Sequence, residues 1–182
     1  MLKKNFVEYF ISRKIENKRF WKRLGGEPNL KNKSILDFGC GLGSLCLDMA
    51  TQDVKIINGI DLEDDFLKFA NENLVTNYGQ FKDKIKFEKK NLFNDKFDEK
   101  FDLIVSKDTF EHTVDLPKIL DKFYDLLKKD GKVYIGFGPL YNSYNGDHGR
   151  TQLKFPWLHV ILSEKIIIDR YNNRNSIKIK KI

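Results

Sequence analysis

Apolar residues recur at steps of three and four near the start of the chain, then give way to short apolar runs separated by mixed segments. Phe6, Val7, Phe10, Ile11 and Ile15, set among basic residues, predict a helix over residues 2–24, which Gly25-Gly-Glu-Pro-Asn29 stops. Ser34-Ile-Leu-Asp-Phe38 reads as a short strand and Leu45 to Ala50 as a helix. A second strand is predicted over Val54 to Asp61, and a helix from Asp64 to Asn77 with Phe66, Phe69, Ala70 and Leu74 on one face. Ile85 to Lys89 and Phe101 to Val105 are the third and fourth strands. Pro117 suits a first helical position, and Ile119, Leu120, Phe123, Leu126 and Leu127 carry that helix to Asp130-Gly131. Lys132 to Phe137 is the fifth strand. A helix from about Trp157 to Arg170 and a strand over 176–182 complete the reading.

Five short apolar strands separated by helices imply an open, mostly parallel α/β sheet with helices on both faces, because parallel strands need crossovers. In such sheets the ligand lies beyond the carboxyl ends of the strands. A length of 182 residues suits one domain. Within it, 1–30 is expected to form an N-terminal helical lid, 34–137 the ligand-binding core, and 138–182 a substrate-side loop with a C-terminal helix and strand.

Composition changes this picture little. The chain is 41% hydrophobic and 32% charged, which fits a globular protein, and no stretch approaches the ~20 apolar residues of a membrane span. The first ten residues lack the pattern of a signal peptide. Cys40 and Cys46 are too few for a disulfide framework or a four-thiolate zinc site, so a cytoplasmic protein is expected. The net charge of +7 sits at the ends: residues 1–34 hold ten Lys/Arg against three acids, and 163–182 hold six against two. Such ends suit RNA, an anionic membrane or an acidic substrate, or form an ordinary solvated surface. The last is preferred, since beyond Phe20-Trp21 the basic residues are not interleaved with aromatics.

The chemistry concentrates in Asp37-Phe-Gly-Cys-Gly-Leu-Gly43, which leaves the first strand and opens a helix. Glycines at alternate positions let the backbone turn tightly and approach a ligand where a Cβ would collide. A dinucleotide loop has the spacing G-x-G-x-x-G, which places a glycine where this chain has Ser44. The spacing here favours a nucleoside without phosphates, and no Gly-Lys-Ser/Thr follows to make a Walker loop. Asp61 ends the second strand, where a carboxylate can accept both ribose hydroxyls or simply cap the next helix.

From Ile35 to Gly43 the chain resembles the first motif of the class I, Rossmann-like methyltransferases, in particular the methyltransferase-11-like group, and the likeness extends over 34–137. That resemblance implies S-adenosyl-L-methionine as cofactor and methyl transfer as activity. It places Gly39 and Gly41 at the methionine moiety, with Cys40 and Gly43 in the same loop, and has Asp37 orient that loop. Asp61 would bind the ribose and Leu62 flank the adenine; Asn91, followed by Leu92, stands where the family has an aspartate near the adenine amino group. After the fourth strand, Ser106 and Lys107 fall at the methionine end, and Asp108, Glu111 and His112 beside the methyl group. His112 suits either a base or a scaffold role. The family sheet has seven strands, and this chain is expected to lack the last, leaving an edge for a homodimer or another partner to cover.

On the acceptor side, the loop from Gly136 to Gly149, with Arg150 and the Phe155-to-His159 segment after it, supplies Tyr141, Tyr144, Arg150 and His159 as candidate walls of a substrate pocket. A sulfonium is a good leaving group, so in-line placement and exclusion of water supply most of the rate. A high-pKa oxygen also needs a base, and His148, His112 and Asp108 are the candidates in that order. No metal is expected. The reading is methyl transfer to a small molecule, at oxygen, on a sugar, lipid-like compound or secondary metabolite. An RNA methyltransferase or a cofactor-binding scaffold without turnover are its alternatives.

Overall fold

The computed structural model describes residues 4–113, 115–138, 140, 142–143, 146 and 157–175. By its internal contacts the chain divides into two units, Met1–Gly136 and Phe137–Ile182.

In the first unit, helix α1 (Lys4–Arg23) is followed by β1 (Ser34–Phe38), α2 (Ser44–Met49), β2 (Ile56–Asp61), α3 (Asp64–Asn77), β3 (Ile85–Lys89), β4 (Phe101–Lys107), α4 (Leu116–Leu126) and β5 (Leu127–Gly136). Among the described residues the sheet has five strands in the order β3-β2-β1-β4-β5, all parallel. The order reverses between β1 and β4, which opens a crevice at their carboxyl ends. Alternation along the strands builds a core on each face. Ile35, Ile57, Leu103 and Val105 pack with α1, α2 and α3, while Leu36, Ile60 and Ile104 pack with Phe110, Ile119 and Phe123. This is the Rossmann-like α/β fold expected. The sixth strand, predicted over 176–182, lies outside the described residues.

Helix α1 buries a different stripe from the one its apolar spacing suggests. Phe10, Asn17, Phe20 and Trp21 are buried, with Phe6 and Val7 packed beside them, whereas Ile11 and Ile15 are exposed. The three large rings bury more area than two isoleucines set off from them by a turn of about 100° per residue. Asn17 makes the buried position tenable. Its amide nitrogen donates to the Ser44 carbonyl at 3.2 Å and to Asp48 Oδ2 at 2.6 Å, and its oxygen accepts from Lys107 Nζ at 2.7 Å.

Two further boundaries differ from expectation. Helix α4, capped by the Asp115 side chain accepting from Lys118 N, ends at Leu126 rather than at Asp130-Gly131. Leu127 pairs with Phe101 as strand and Asp130 adopts a positive φ of 63°, both incompatible with helix, and the Lys128 side chain bonds Asp102 at 2.8 Å. In the second unit, the expected single helix is two, α5 (Leu158–Ile161) and α6 (Glu164–Asn175), broken where Leu162 is extended. No helix among the described residues is long and apolar enough to cross a membrane.

Candidate functional site

A cleft of about 450 Å³ opens at the carboxyl ends of β1, β2 and β4. Its volume falls in the range of ~300–1,000 Å³ that holds small ligands. One wall is the loop from Asp37 to Leu42, the second is Ile60 to Glu63 with Phe66, and the third is Lys107 to Thr109 with His112 and Thr113. Tyr9 and Arg13 of α1 complete it.

The glycine loop has the backbone its sequence demands. Gly39 has φ +74°, and a Cβ built there would collide with the Thr109 side chain, so only hydrogen lets the loop after β1 touch the loop after β4. Gly41 has φ +53°, and nothing lies within 4 Å of the corresponding point, which is open cleft. Gly43 serves packing instead, since its Cβ would meet the Phe87 ring. Asp61 ties the walls together: Oδ2 accepts from Gly41 N at 2.8 Å, and Oδ1 from Leu62 N at 2.7 Å and Glu63 N at 3.0 Å. Asp61 does not cap α3, whose N-cap is Glu63 with no side-chain cap bond. It orders the turn into α3 and still lines the cleft.

Beneath the loop, Asp37 is buried, and the Cys46 thiol donates to its Oδ2 at 3.0 Å. Burial pushes the Asp37 carboxyl up to about 6; the Cys46 hydrogen bond and the Lys107 ammonium oppose the rise, and the charge of Asp61 adds to it. Burial also raises the thiols of Cys40 and Cys46 well above the usual range, which keeps both in the thiol form. Both cysteines are free. Lys107 is pulled down to about 8 by burial and by Arg13, against the opposing pull of Asp108, Glu16 and Asp37.

Several expected residues stand back from the cleft. Asn91 Oδ1 accepts from Phe93 N at 2.9 Å and Asn94 N at 3.3 Å, closing its own turn, and it is the neighbouring Lys90 that lines the cleft. Leu92 is buried in the core on the α4 side, and Ser106 donates to the Phe38 carbonyl at 2.9 Å, holding β4 to β1. His159 is buried on α5 in the second unit. Tyr141, Tyr144, His148 and Arg150 lie outside the described residues. What the sequence reading missed is the contribution of α1. Tyr9 and Arg13 are one turn apart, with the guanidinium 5.7 Å from the ring, and Arg13 pairs with Asp108, 95 residues away. The i, i+4 spacing was visible, but nothing local says what a polar helix face will meet.

These residues fit S-adenosylmethionine. A carboxylate (Asp61) sits beside an apolar slot of Ile60, Leu62 and Phe66, as a nucleoside requires, and Gly41 leaves room for a close approach.

Comparison with known proteins agrees with this geometry. Residues 36–133 match the family described as a methyltransferase domain. Over 120 residues, 65% of the chain, it is 36% identical to phosphoethanolamine N-methyltransferase 3 of Arabidopsis thaliana, 23% of which is covered. It is 34% identical over 111 residues to the ubiquinone biosynthesis O-methyltransferase of Glaesserella parasuis serovar 5, covering 58% of this chain and 45% of that one. The crystal structure of coclaurine N-methyltransferase bound to N-methylheliamine and SAH superposes with a TM-score of 0.56 at 19% identity, over 66% of this chain and 34% of that one. The chain spans under a quarter of the length of the first curated relatives it matches. With the family match covering more than half of its residues, the chain belongs to the class I methyltransferases, whose cofactor is S-adenosylmethionine.

Proposed function

We propose that the chain transfers a methyl group from S-adenosylmethionine to a small-molecule acceptor that enters between Tyr9, Asp108 and His112. The observation that carries this reading is the joining in one cleft of the donor-side loop, Asp37 to Leu42, with the titratable segment Asp108 to His112. When bound, the cofactor supplies a methyl group on a sulfonium, a good leaving group. Asp61 and Glu63 would hold the ribose. Three backbone amides already occupy Asp61, which leaves about one of a carboxylate's roughly four acceptor positions for a hydroxyl, and Glu63 lines the same wall. Leu62 and Phe66 would flank the adenine, and the 39–41 backbone would meet the methionine end.

Oxygen is the acceptor atom expected from the sequence, and for an alcohol or phenol His112 is the described base. A second reading, an amine acceptor, is supported by the likeness to phosphoethanolamine N-methyltransferases. There Asp108 would hold and orient the ammonium form, which would release its proton to solvent before the free amine attacks. In either case α1, as the lid over the 34–137 core, would help exclude water through Tyr9 and Arg13. The two free cysteines suit a cytoplasmic setting.

The test is calorimetry with S-adenosylmethionine and NAD, followed by transfer of labelled methyl to phosphoethanolamine and to 3,4-dihydroxybenzoate. Donor binding and turnover of one acceptor are expected. Binding of NAD in place of S-adenosylmethionine would overturn the reading, and donor binding without any turnover would leave a cofactor-binding scaffold.

A further inference from the structure

We propose that Arg13 is a positioning residue of the acceptor end, which acts by fixing the carboxylate of Asp108. The inference rests on the reading above, in which Asp108 meets the acceptor.

Asp108 stands at the first turn after β4 with φ +54°, a left-handed conformation that aspartate tolerates better than most L-residues. Its N–H donates to the Gly136 carbonyl at 2.7 Å, which anchors the backbone of this turn to the end of β5. The side chain is left to be fixed by something else, and Arg13 does so.

The guanidinium of Arg13 is itself held from three sides. It donates to Glu16 at 2.8 Å on its own helix, lies over the Tyr9 ring, and pairs with Asp108 across the cleft wall. A planar fork so restrained has one direction in which to present its remaining N–H groups. The preceding residue, the last of β4, repeats the clamp, because Lys107 Nζ donates to the Arg13 carbonyl at 3.1 Å and to Asn17 at 2.7 Å.

These contacts divide the labour. Lys107, Asn17 and the buried rings of Phe10, Phe20 and Trp21 already hold α1 against the sheet, so docking of the helix does not need Arg13. The Arg13–Asp108 pair lines the cleft, with side chains only 23% and 28% exposed, where a fixed carboxylate is of use to an acceptor.

The experiment uses the full chain and the variants Arg13→Gln, Arg13→Lys, Asp108→Asn and the double Arg13→Gln/Asp108→Asn. Without acceptor, hydrogen exchange across 107–109 is expected to quicken about tenfold in Arg13→Gln while residues 17–21 keep their protection. Turnover is measured with whichever of phosphoethanolamine and 3,4-dihydroxybenzoate the wild type methylates. There, kcat should fall about 10–100-fold in Arg13→Gln, with SAH affinity changed less than about twofold. Arg13→Lys should recover part of the loss, since a point cation keeps the charge but not the fork. In the Asp108→Asn background, Arg13→Gln should change kcat by less than about twofold, the mark of two residues acting as a unit. Unchanged exchange at 107–109, additive losses in the double variant, or a fall in SAH affinity matching the fall in kcat would each overturn the proposal. A wild type that methylates neither acceptor would count against the functional reading, while the exchange measurement still decides the role of Arg13.

Discussion

The carboxylate of Asp61 accepts the Gly41 amide at 2.8 Å, so the last residue of β2 and the glycine loop after β1 form one hydrogen-bonded unit. Loop order and, in the function proposed above, ligand contact therefore meet in one side chain. Asp61→Ala is expected to weaken SAH binding by ~1–3 kcal/mol through loss of a charged acceptor. It should also lower unfolding stability by about 1–2 kcal/mol, because three amides lose their partner. Calorimetry and urea unfolding separate the two losses. Lowered stability with unchanged affinity would reduce Asp61 to a residue that holds the turn.

Gly39 and Gly41, two residues apart, are expected to fail in opposite ways. Gly39→Ala meets the Thr109 side chain and should destabilise the fold by ~1–3 kcal/mol, part of which Thr109→Ala returns. Gly41→Val meets open cleft, so beyond the cost of its positive φ it should spare stability and abolish SAH binding. Unfolding midpoints for both variants, with and without SAH, check the contrast. SAH binding retained by Gly41→Val, or no recovery of Gly39→Ala by Thr109→Ala, would contradict it.

Burial raises the Asp37 carboxyl from the ordinary 3.8 to about 6. Between these values the folded protein keeps a proton that the unfolded chain has released. This group therefore lowers stability as the pH rises through that window, and its full cost of about 3 kcal/mol stands above about pH 6. Asp37→Asn cannot titrate. Relative to that variant, the urea midpoint of the wild type should fall between pH 4 and pH 6 and run parallel above it. Parallel curves throughout would mean that the carboxylate is fully compensated by Lys107.

His112 is exposed on the single turn Phe110–His112 and lines the cleft. His112→Ala should lower turnover by ~10²-fold, the size of a general-base effect, and leave SAH affinity unaltered. Steady-state kinetics on a hydroxyl acceptor and on an amine acceptor check this. A loss confined to the hydroxyl acceptor would assign the base to oxygen chemistry alone, and no loss on either would make His112 a bystander.

The elements that carry the cofactor cleft could be read from the sequence because their signals are local. The strands at Ser34–Phe38 and Ile85–Lys89 and the helix at Asp64–Asn77 stand where apolar runs and periodicity place them. The glycine loop announces its own backbone, since G-x-G-x-G has few other uses at the end of a strand. The residues that α1 adds to the cleft were illegible for the opposite reason. Arg13 meets Asp108 and Asn17 meets Lys107 across some ninety residues, and a helix surface does not record its partners. Asn91 shows a third case. Its position after β3 was read correctly, but Phe93 and Asn94 lie near enough to claim its oxygen for a turn. The end of α4 misled because Leu126, Leu127 and the Asp130-Gly131 stop continue the helical pattern, while the pull of Asp102 and the pairing of Leu127 with Phe101 come from elsewhere in the sheet.

The way Phe10, Phe20 and Trp21 pack, each 6% exposed or less and with Trp21 edge-on to Tyr134 at 5.6 Å, bears on any attempt to transplant this protein. The segment that matches the family begins at residue 36 and leaves all three rings behind. Three aromatics of this size contribute of the order of 10 kcal/mol of burial, comparable with the whole stability of a small protein. A graft or chimaera cut at the family boundary would expose one face of its sheet and fail to fold. One that carries the first helix with it keeps both its core and the two cleft residues, Tyr9 and Arg13, that this helix supplies.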